Sequence, residues 1–318
     1  MPRLSRPRYG SLQFYPRKRA AKILPSVNWK NLASMKLDSS AILGFIAYKV
    51  GMATAIVKDS TDKSMTLGKK VAIPVTILEV PPMKILSIRF YKNAHAIKDI
   101  IVSNDKELKH KLKLPKQLPS HNFPQDFDDV RIIAYSIPKQ TSIKKTPDII
   151  EIAISAPNKL EFVKSIINKE ISLHEFLKFP LLDIHGLTKG KGLQGPVKRF
   201  GISLKQHKSE KGQRRPGSLA PWHPARVTFH TPMAGQLGFF TRVSYNNKVI
   251  TSGNIKEKEI NPKSGYKSYG KIKTSFLIIK GSVQGPPKRQ VLVTPSFRPT
   301  LSQLKKKYEF IQLINKTP

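Results

Sequence analysis

No cysteine occurs anywhere in the 318 residues. Disulfides, zinc knuckles and thiol chemistry are therefore excluded together, and the composition fits a reducing compartment. Acids are scarce as well: 20 Asp and Glu stand against 57 Lys and Arg, a formal net charge of +37. A compact body with that charge repels itself, so the excess calls for a polyanionic partner. Chromatin, RNA and an anionic membrane are the candidate classes. Long apolar runs are missing too. The most apolar window, residues 41–57 (AILGFIAYKVGMATAIV), has Lys49 at its centre and is short for a bilayer span. Residues 1–30 carry basic residues and prolines throughout, unlike the charged-then-apolar layout of a signal peptide. Neither a membrane nor a secretory route is expected.

Signatures of chemistry are lacking as well. The run HGLTKGKG places Gly192 after Gly190-Lys191, and the preceding Gly186 is only four positions back. A phosphate-binding loop needs Gly, four residues, then Gly-Lys-Ser/Thr. No G-x-S-x-G and no H-E-x-x-H occurs, and the eight histidines are scattered. Asp126, Asp128 and Asp129 suit a solvated turn better than a metal site. No catalytic residue, metal ligand, cofactor or small-molecule substrate is expected.

What is present is unevenly placed charge. Residues 1–30 hold eight basic residues and no acid, residues 186–226 hold ten and one acid (Glu210), and residues 260–308 hold eleven and none. Residues 99–175, by contrast, balance twelve basic residues with eleven acids. That stretch reads as a separately solvated α/β subdomain inside a chain otherwise committed to a polyanion.

Short β-rich runs bounded by Gly, Pro and Lys predict strands over 43–57, 71–80, 84–91, 131–137, 149–155, 225–230, 237–250, 274–280 and 290–294. Leu160, Val163, Ile166 and Ile167 share one face of a helix over 159–169. Ser172 and Glu175 have capping-box spacing for a helix over 172–179. No repeat of fixed period is present. The expected architecture is mainly β: a β-barrel interrupted by an α/β insertion, with basic extensions. Its divisions are 1–40 as a basic N-terminal extension, 41–98 and 179–318 as the two parts of the barrel, and 99–178 as the insertion.

From Gly186 to Arg226 no periodicity is visible, and seven residues are Gly and four Pro. Structureless loops longer than about 12–15 residues are usually functional or disordered. Alone, such a loop buries too little to offset an ordering cost of about 1–2 kcal/mol per residue; against phosphate its cations gain counterion release. Trp222 lies within it, in GQRRPGSLAPWHPARV (212–227). An indole is best used where it stacks or packs. A solvated linker, a satellite-core tryptophan under the loop, and a segment inserted into folded nucleic acid all remain open on composition.

Seven segments bear on that choice. HGLTKGKGLQGPVKRFG (185–201) resembles the central signature of the large-subunit ribosomal protein L-three family. GFIAYKVGMATAIV (44–57), VAIPVTILEVPP (71–82), PGSLAPWHPARV (216–227), AGQLGFFTRVSYNNKV (234–249), GSVQGPPKRQVLV (281–293) and the arm PRYGSLQFYPRKRA (7–20) resemble further family segments in the same order. The arm and the chain length resemble the archaeal version. One departure is Phe239-Phe240, where the family has an aromatic followed by His.

The resemblance implies a translation-protein type β-barrel, an embedded α/β domain, and long basic N-terminal and central finger extensions that thread into large-subunit (23S-type) rRNA. It implies a cytoplasmic, non-enzymatic ribosomal constituent that joins early in subunit assembly. Neighbouring large-subunit ribosomal proteins are implied partners, and the finger tip approaches the peptidyl transferase region. The residues expected on rRNA are Arg3, Arg6, Arg8, Arg17, Lys18 and Arg19 in the arm; Lys189, Lys191, Lys198 and Arg199 at the finger base; and Arg214 and Arg215 along its shaft. Trp222, His223 and Arg226 are expected at the tip, with Arg242, Lys288 and Arg289 beyond it. The alternative is a general, chromatin-type nucleic-acid binder.

Overall fold

The computed structural model describes residues 13–34, 40–118, 122–176 and 178–314. The chain divides into two compact units, Met1–Ile23 with Leu187–Arg242, and Leu24–Gly186 with Val243–Pro318. The helices are α1 (Trp29–Ala33), α2 (Lys159–Ile166), α3 (Leu173–Phe176), α4 (Pro196–Phe200) and α5 (Leu301–Leu304). The first strands are β1 (Ala41–Ile42), β2 (Phe45–Asp59), β3 (Lys70–Val80), β4 (Met83–Lys92), β5 (His95–Ile101), β6 (Asp129–Ser136) and β7 (Ile149–Ser155). They are followed by β8 (Leu181–Leu187), β9 (Leu193–Gln194), β10 (Gly235–Gln236), β11 (Thr241–Asn254), β12 (Ser275–Lys280), β13 (Gln290–Pro295) and β14 (Tyr308–Ile314). The protein is mainly β, as the sequence predicts.

The larger unit contains two sheets. One runs β13-β8-β11-β12-β3-β2-β14, and β13 also pairs with β2. The strands from β2 round to β13 therefore close into a ring. β2 is long enough to serve two neighbours: Phe45–Tyr48 lie against β13, and Thr54–Asp59 lie against β14. A register shift between Lys49 and Gly51 separates the two halves, the local kink that a bulge produces.

Lys49, the charge at the centre of the most apolar window, sits at this bulge. Its ammonium donates to the carbonyls of Val283 and Gly285. Its backbone exchanges hydrogen bonds with Lys288 and Arg289. The buried lysine thus ties the 281–289 turn to β2.

Alternation along the strands sorts their side chains into two cores. Ile73, Val75 and Ile77 of β3 join Phe276 and Ile278 of β12 in one cluster, under Ile260 and Ile272. Leu78 and Val80 join Leu277 and Ile279 in the other, which continues through β4, β6 and β7 to α2 and α3. Period-2 patterning makes such a division wherever a sheet is covered on both faces.

The second sheet runs β1-β7-β6-β4-β5. Its first long strand, β4, begins at Met83, so residue 98, the expected end of the first barrel segment, falls inside β5 of this sheet. Acids and bases pair across it. Asp99 takes two hydrogen bonds from the Arg89 guanidinium at 2.7 and 2.6 Å. Glu151 accepts from Arg131 at 3.0 Å, and Asp129 pairs with Arg131 and Lys159. The Asp126/Asp128/Asp129 group is fully engaged: Asp126 pairs with Lys92 and Asp128 accepts from the Asn93 amide.

Several expected elements differ. No strand forms over 225–230; the chain there runs through local turns, with Arg226 N–H bonded to Pro224 O and Thr231 N–H to Thr228 O. The strand expected at 237 starts at Thr241, since Gly238 and Phe239 adopt positive φ. β5, β8 and β14 were not anticipated. Helix α2 has its predicted apolar face but Asn158 caps it. The 172–179 helix shrinks to α3, with only the Glu175 half of the capping box made, at 3.5 Å from the Ser172 amide.

One half-buried titratable group sets a stability window. His185 on β8 lies against the Thr294 hydroxyl at 3.2 Å, and burial pushes its imidazole from 6.5 down to about 4. The folded state then binds fewer protons than the unfolded chain between these values. Stability from neutral His185 is complete above pH 6.5 and is lost as pH falls toward 4. Asp183, whose carboxyl burial pushes upward, opposes this at the acid end. Chemical denaturation at pH 7 and pH 4.5 is expected to show that His185→Gln removes about 2 kcal/mol of the wild-type acid destabilisation. Equal losses in both proteins would contradict the assignment.

Candidate nucleic-acid interface

The smaller unit is built from the described arm residues 13–23 and from 187–242. Two short antiparallel strands, β9 and β10, pair Gly235 with Gln194 and Gln236 with Leu193. Beside these strands the ladder continues as irregular backbone pairing. Lys191 N–H donates to Leu237 O at 2.9 Å, Leu237 N–H to Gly192 O at 2.9 Å, and Thr188 N–H to Phe240 O at 3.0 Å. Gly238 is indispensable here. Its φ is +73°, and a Cβ built on it would lie 2.0 Å from Lys189 O. The A-G-Q-x-G spacing is thus a steric requirement of the strand crossing.

Between these paired ends lies the excursion 195–234. It begins with α4, which has Pro196 in its first turn and the left-handed Gly201 as its C-cap. From 202 to 232 it carries neither helix nor strand. Local turns hold it, such as Lys205 N–H to Gln213 O and Thr231 N–H to Thr228 O.

Arginine replaces a hydrophobic core at the base of the excursion. Arg199 donates from Nε to Gln236 O at 3.0 Å, from Nη1 to Met233 O at 3.0 Å, and from Nη2 to Arg17 O at 3.1 Å. Arg17 returns the contact, donating from Nη1 to Arg199 O at 2.8 Å. Gly235 leaves room for this: a Cβ there would approach Arg199 Nη1 to 2.8 Å. Burial and the like charge of Arg17 both push the Arg199 guanidinium down from its ordinary value. The carbonyls and aromatic faces around them hold two cations together with no acid between.

Aromatic rings complete the base. Arg17 lies 4.3 Å from the centroid of Phe200, Arg242 lies 4.0 Å from Phe14 and 5.3 Å from Phe240, and Arg19 lies 5.1 Å from Phe239. Tyr15 packs edge-on against Phe229 and His230. Cation–π contacts of this kind contribute about 0.5–2 kcal/mol each. Sequence reading missed this ring cluster. The alternation of Phe14 and Tyr15 with Arg17 and Arg19 was its only signal.

The expected site residues therefore separate into two groups. Arg17, Arg199 and Arg242 are half-buried and turned toward rings and carbonyls of their own unit. Lys18, Lys189, Lys191, Lys198, Arg214, Arg215, Trp222, His223 and Arg226 are exposed, and among the described residues none of the lysines and arginines in this second group lies in an ion pair. Arg19 is exposed yet stacked. Arg3, Arg6 and Arg8 lie outside the described residues. Lys288 and Arg289 belong to the larger unit, on the turn fastened by Lys49; Lys288 is exposed and Arg289 half-buried.

Trp222 is 88% exposed, whereas the other tryptophan, Trp29, is 5% exposed and packs in the core. The satellite-core alternative is thereby removed: the indole has no protein cover. Among the described residues no group of His, Asp and Glu is placed to hold a metal, and no helix is long and apolar enough to cross a membrane. What the unit offers is positive charge, hydrogen-bond donors and one bare indole.

Gly238→Ala tests the crossing. The substitution forces both a positive φ and a backbone clash, each costing about 1–3 kcal/mol. Amides of Lys191 and Leu237 are expected to exchange at least tenfold faster in the variant, while those of the barrel strands keep their protection. Unchanged exchange at Leu237 would show that the crossing tolerates a side chain.

The family model for ribosomal protein L3 matches residues 1–114 and 89–317. The large ribosomal subunit protein uL3 of Methanocaldococcus jannaschii is 37% identical over 316 residues, covering 93% of this chain and 92% of the relative. The proteins of the same description from Methanococcus aeolicus and Archaeoglobus fulgidus are each 38% identical, with 92% of both chains covered. These relatives are archaeal. The match spans the barrel, the paired ends at 187–194 and 235–241, and the excursion between them, and on this extent the chain belongs to the ribosomal protein L3 family.

Proposed function

We propose that this chain is a structural constituent of the large ribosomal subunit, and that its smaller unit is a finger and arm that bind large-subunit (23S-type) rRNA. The observation that carries it is the surface of that unit. It carries exposed cations that, among the described residues, lie in no ion pair, together with an exposed tryptophan on a segment without regular structure. Phosphate neutralisation by Lys189, Lys191, Lys198, Arg214 and Arg215 supplies affinity. RNA shape and stacking of unpaired bases on Trp222 supply selectivity. The half-buried arginines position the excursion.

In this reading the excursion orders fully only against RNA, and the protein joins early in subunit assembly. Its tip at Trp222 and His223 reaches toward the peptidyl transferase region. Neighbouring large-subunit proteins complete its surroundings in the cytoplasmic ribosome. It performs no chemistry of its own. The family membership supports the ribosomal setting; a general, chromatin-type binder is the competing outcome of the test.

Two measurements separate them. At about 0.3 M salt the chain is expected to retain large-subunit rRNA and release duplex DNA. Each phosphate contact contributes about 0.7–0.9 to the slope of log K against log salt. Replacing Lys189, Lys191, Arg214 and Arg215 together by Gln is therefore expected to reduce the slope by about 3. Equal affinity for rRNA and DNA would favour the general binder.

Trp222→Ala is expected to leave the melting temperature of the free chain unchanged, because the indole is already in solvent. It is expected to lower the yield of assembled subunits or their peptidyl-transferase activity. A melting temperature lowered by several degrees would instead reveal packing of Trp222 in the free protein.

A further inference from the structure

The larger unit carries a second concentration of charge, distinct from the arm and the excursion. Between β11 and β12 the chain runs Ile255-Lys-Glu-Lys-Glu-Ile-Asn-Pro-Lys-Ser-Gly-Tyr-Lys-Ser-Tyr-Gly-Lys-Ile-Lys-Thr274. Lys256 and Lys258 alternate with Glu257 and Glu259. From Ile260 onward only lysines remain: Lys263, Lys267, Lys271 and Lys273.

This stretch is braced at every turn. Asn261 pairs through both ends of its amide with the Ile272 backbone, at 3.0 and 2.9 Å. Tyr266 and Gly270 exchange two backbone hydrogen bonds at 2.9 and 3.0 Å, and the Tyr266 hydroxyl donates to Ile260 O at 2.7 Å. A Cβ on Gly265, whose φ is +74°, would meet the Gly270 carbonyl carbon at 3.2 Å, so the two arms touch there. Ile260 and Ile272 are buried beneath, among the barrel residues Ile73, Val75 and Phe276.

The foot of the knuckle is fixed by Glu79 of β3. This fully buried carboxylate accepts from the amides of Lys273 and Thr274 at 2.8 and 3.0 Å, from the Thr274 hydroxyl at 3.0 Å, and from the Tyr269 hydroxyl. Burial and the Glu79 charge push the Tyr269 phenol well above its ordinary value, so it stays a donor. This carboxylate is therefore consumed by backbone and hydroxyl donors beneath the surface.

Three exposed ammonium groups remain on a rigid support. Lys263 and Lys271 stand on the two arms and Lys267 at the tip; each is exposed, and among the described residues none lies in an ion pair. Lys273 differs, since its Nζ donates to the Ser142 hydroxyl at 2.7 Å.

We infer that the knuckle 262–273 is a preformed anchor for the phosphate backbone of folded RNA, with Lys263, Lys267 and Lys271 as its contacts. It rests on the chain's being an RNA-binding protein, as proposed above, and adds to it a contact of opposite character. The excursion of the smaller unit lacks regular structure, whereas the knuckle has little ordering cost left when it binds. A lysine ammonium is a compact point charge suited to phosphate without base discrimination.

The test compares three full-length proteins by binding to large-subunit rRNA across a salt series. The first is wild type. The second carries Lys263→Gln, Lys267→Gln and Lys271→Gln. The third removes the same charge from the near-neutral subdomain, through Lys109→Gln, Lys113→Gln and Lys116→Gln, all exposed positions. The knuckle variant is expected to lose about 2 from the salt slope and at least tenfold in affinity near 0.15 M salt, with its melting temperature unchanged. The control variant is expected to keep the wild-type slope. Equal losses in both variants would reduce the effect to general charge and overturn the anchor. A wild-type slope in the knuckle variant would also overturn it while leaving the finger reading intact. Failure of the wild-type chain to bind rRNA would overturn both.

Discussion

Scarcity of negative charge governs how this molecule is built. With 20 acids for 57 lysines and arginines, carboxylates cannot be distributed evenly, and among the described residues Asp59, Glu79, Asp148 and Asp183 are buried. Glu79 gathers four donors at the foot of the knuckle. Asp183 accepts the amides of Asn246 and Phe297 where β11 meets the chain after β13. Asp148 accepts from the buried Tyr48 hydroxyl at 2.6 Å and pairs with Lys144. Unpaired buried carboxylates would be costly, and the hydrogen bonds that each of these accepts offset part of that cost. Each of these acids therefore organises backbone as well as balancing charge.

The smaller unit shows what remains possible without acids. Glu210 is the single carboxylate between residues 187 and 242, and it is exposed. Arginines there are held by carbonyl oxygens and ring faces. Guanidinium suits this role, being planar, weakly hydrated and rich in donors. The arrangement holds the base of the excursion together and leaves its net charge intact. A carboxylate network would have given a firmer base and a weaker attraction for phosphate. The two units thus answer the same shortage in opposite ways.

Much of this was legible in the sequence, and the limits have physical causes. Strands such as β3, β6 and β12 were visible as short β-rich runs bounded by Gly, Pro and Lys. β8 (LLDIHGL) was hidden because Asp183 and His185 point into polar partners and break the pattern. β14 depends on pairing with the far half of β2, a contact between residues about 250 positions apart that no local window contains. The run 225–230 has strand-like composition but forms local turns. The exposed cations and Trp222 were identified from composition and motif order. The inward turn of Arg17, Arg199 and Arg242 was not, since a basic residue reads the same whether its guanidinium meets a carbonyl or solvent. The knuckle escaped notice for a related reason: its lysines were counted, but the buried Glu79 that orders them lies nearly two hundred residues away.

The two tryptophans occupy opposite extremes of environment, one sealed in the core at the start of α1 and one almost wholly in water. Indole emission shifts to longer wavelength in polar surroundings and is quenched by stacking on nucleobases. The chain therefore contains a built-in optical pair: Trp29 reports on the integrity of the folded body, while Trp222 reports on whether the end of the excursion has left solvent. Docking and unfolding move the two signals in different directions, so the free protein can be followed into its complex without any added label.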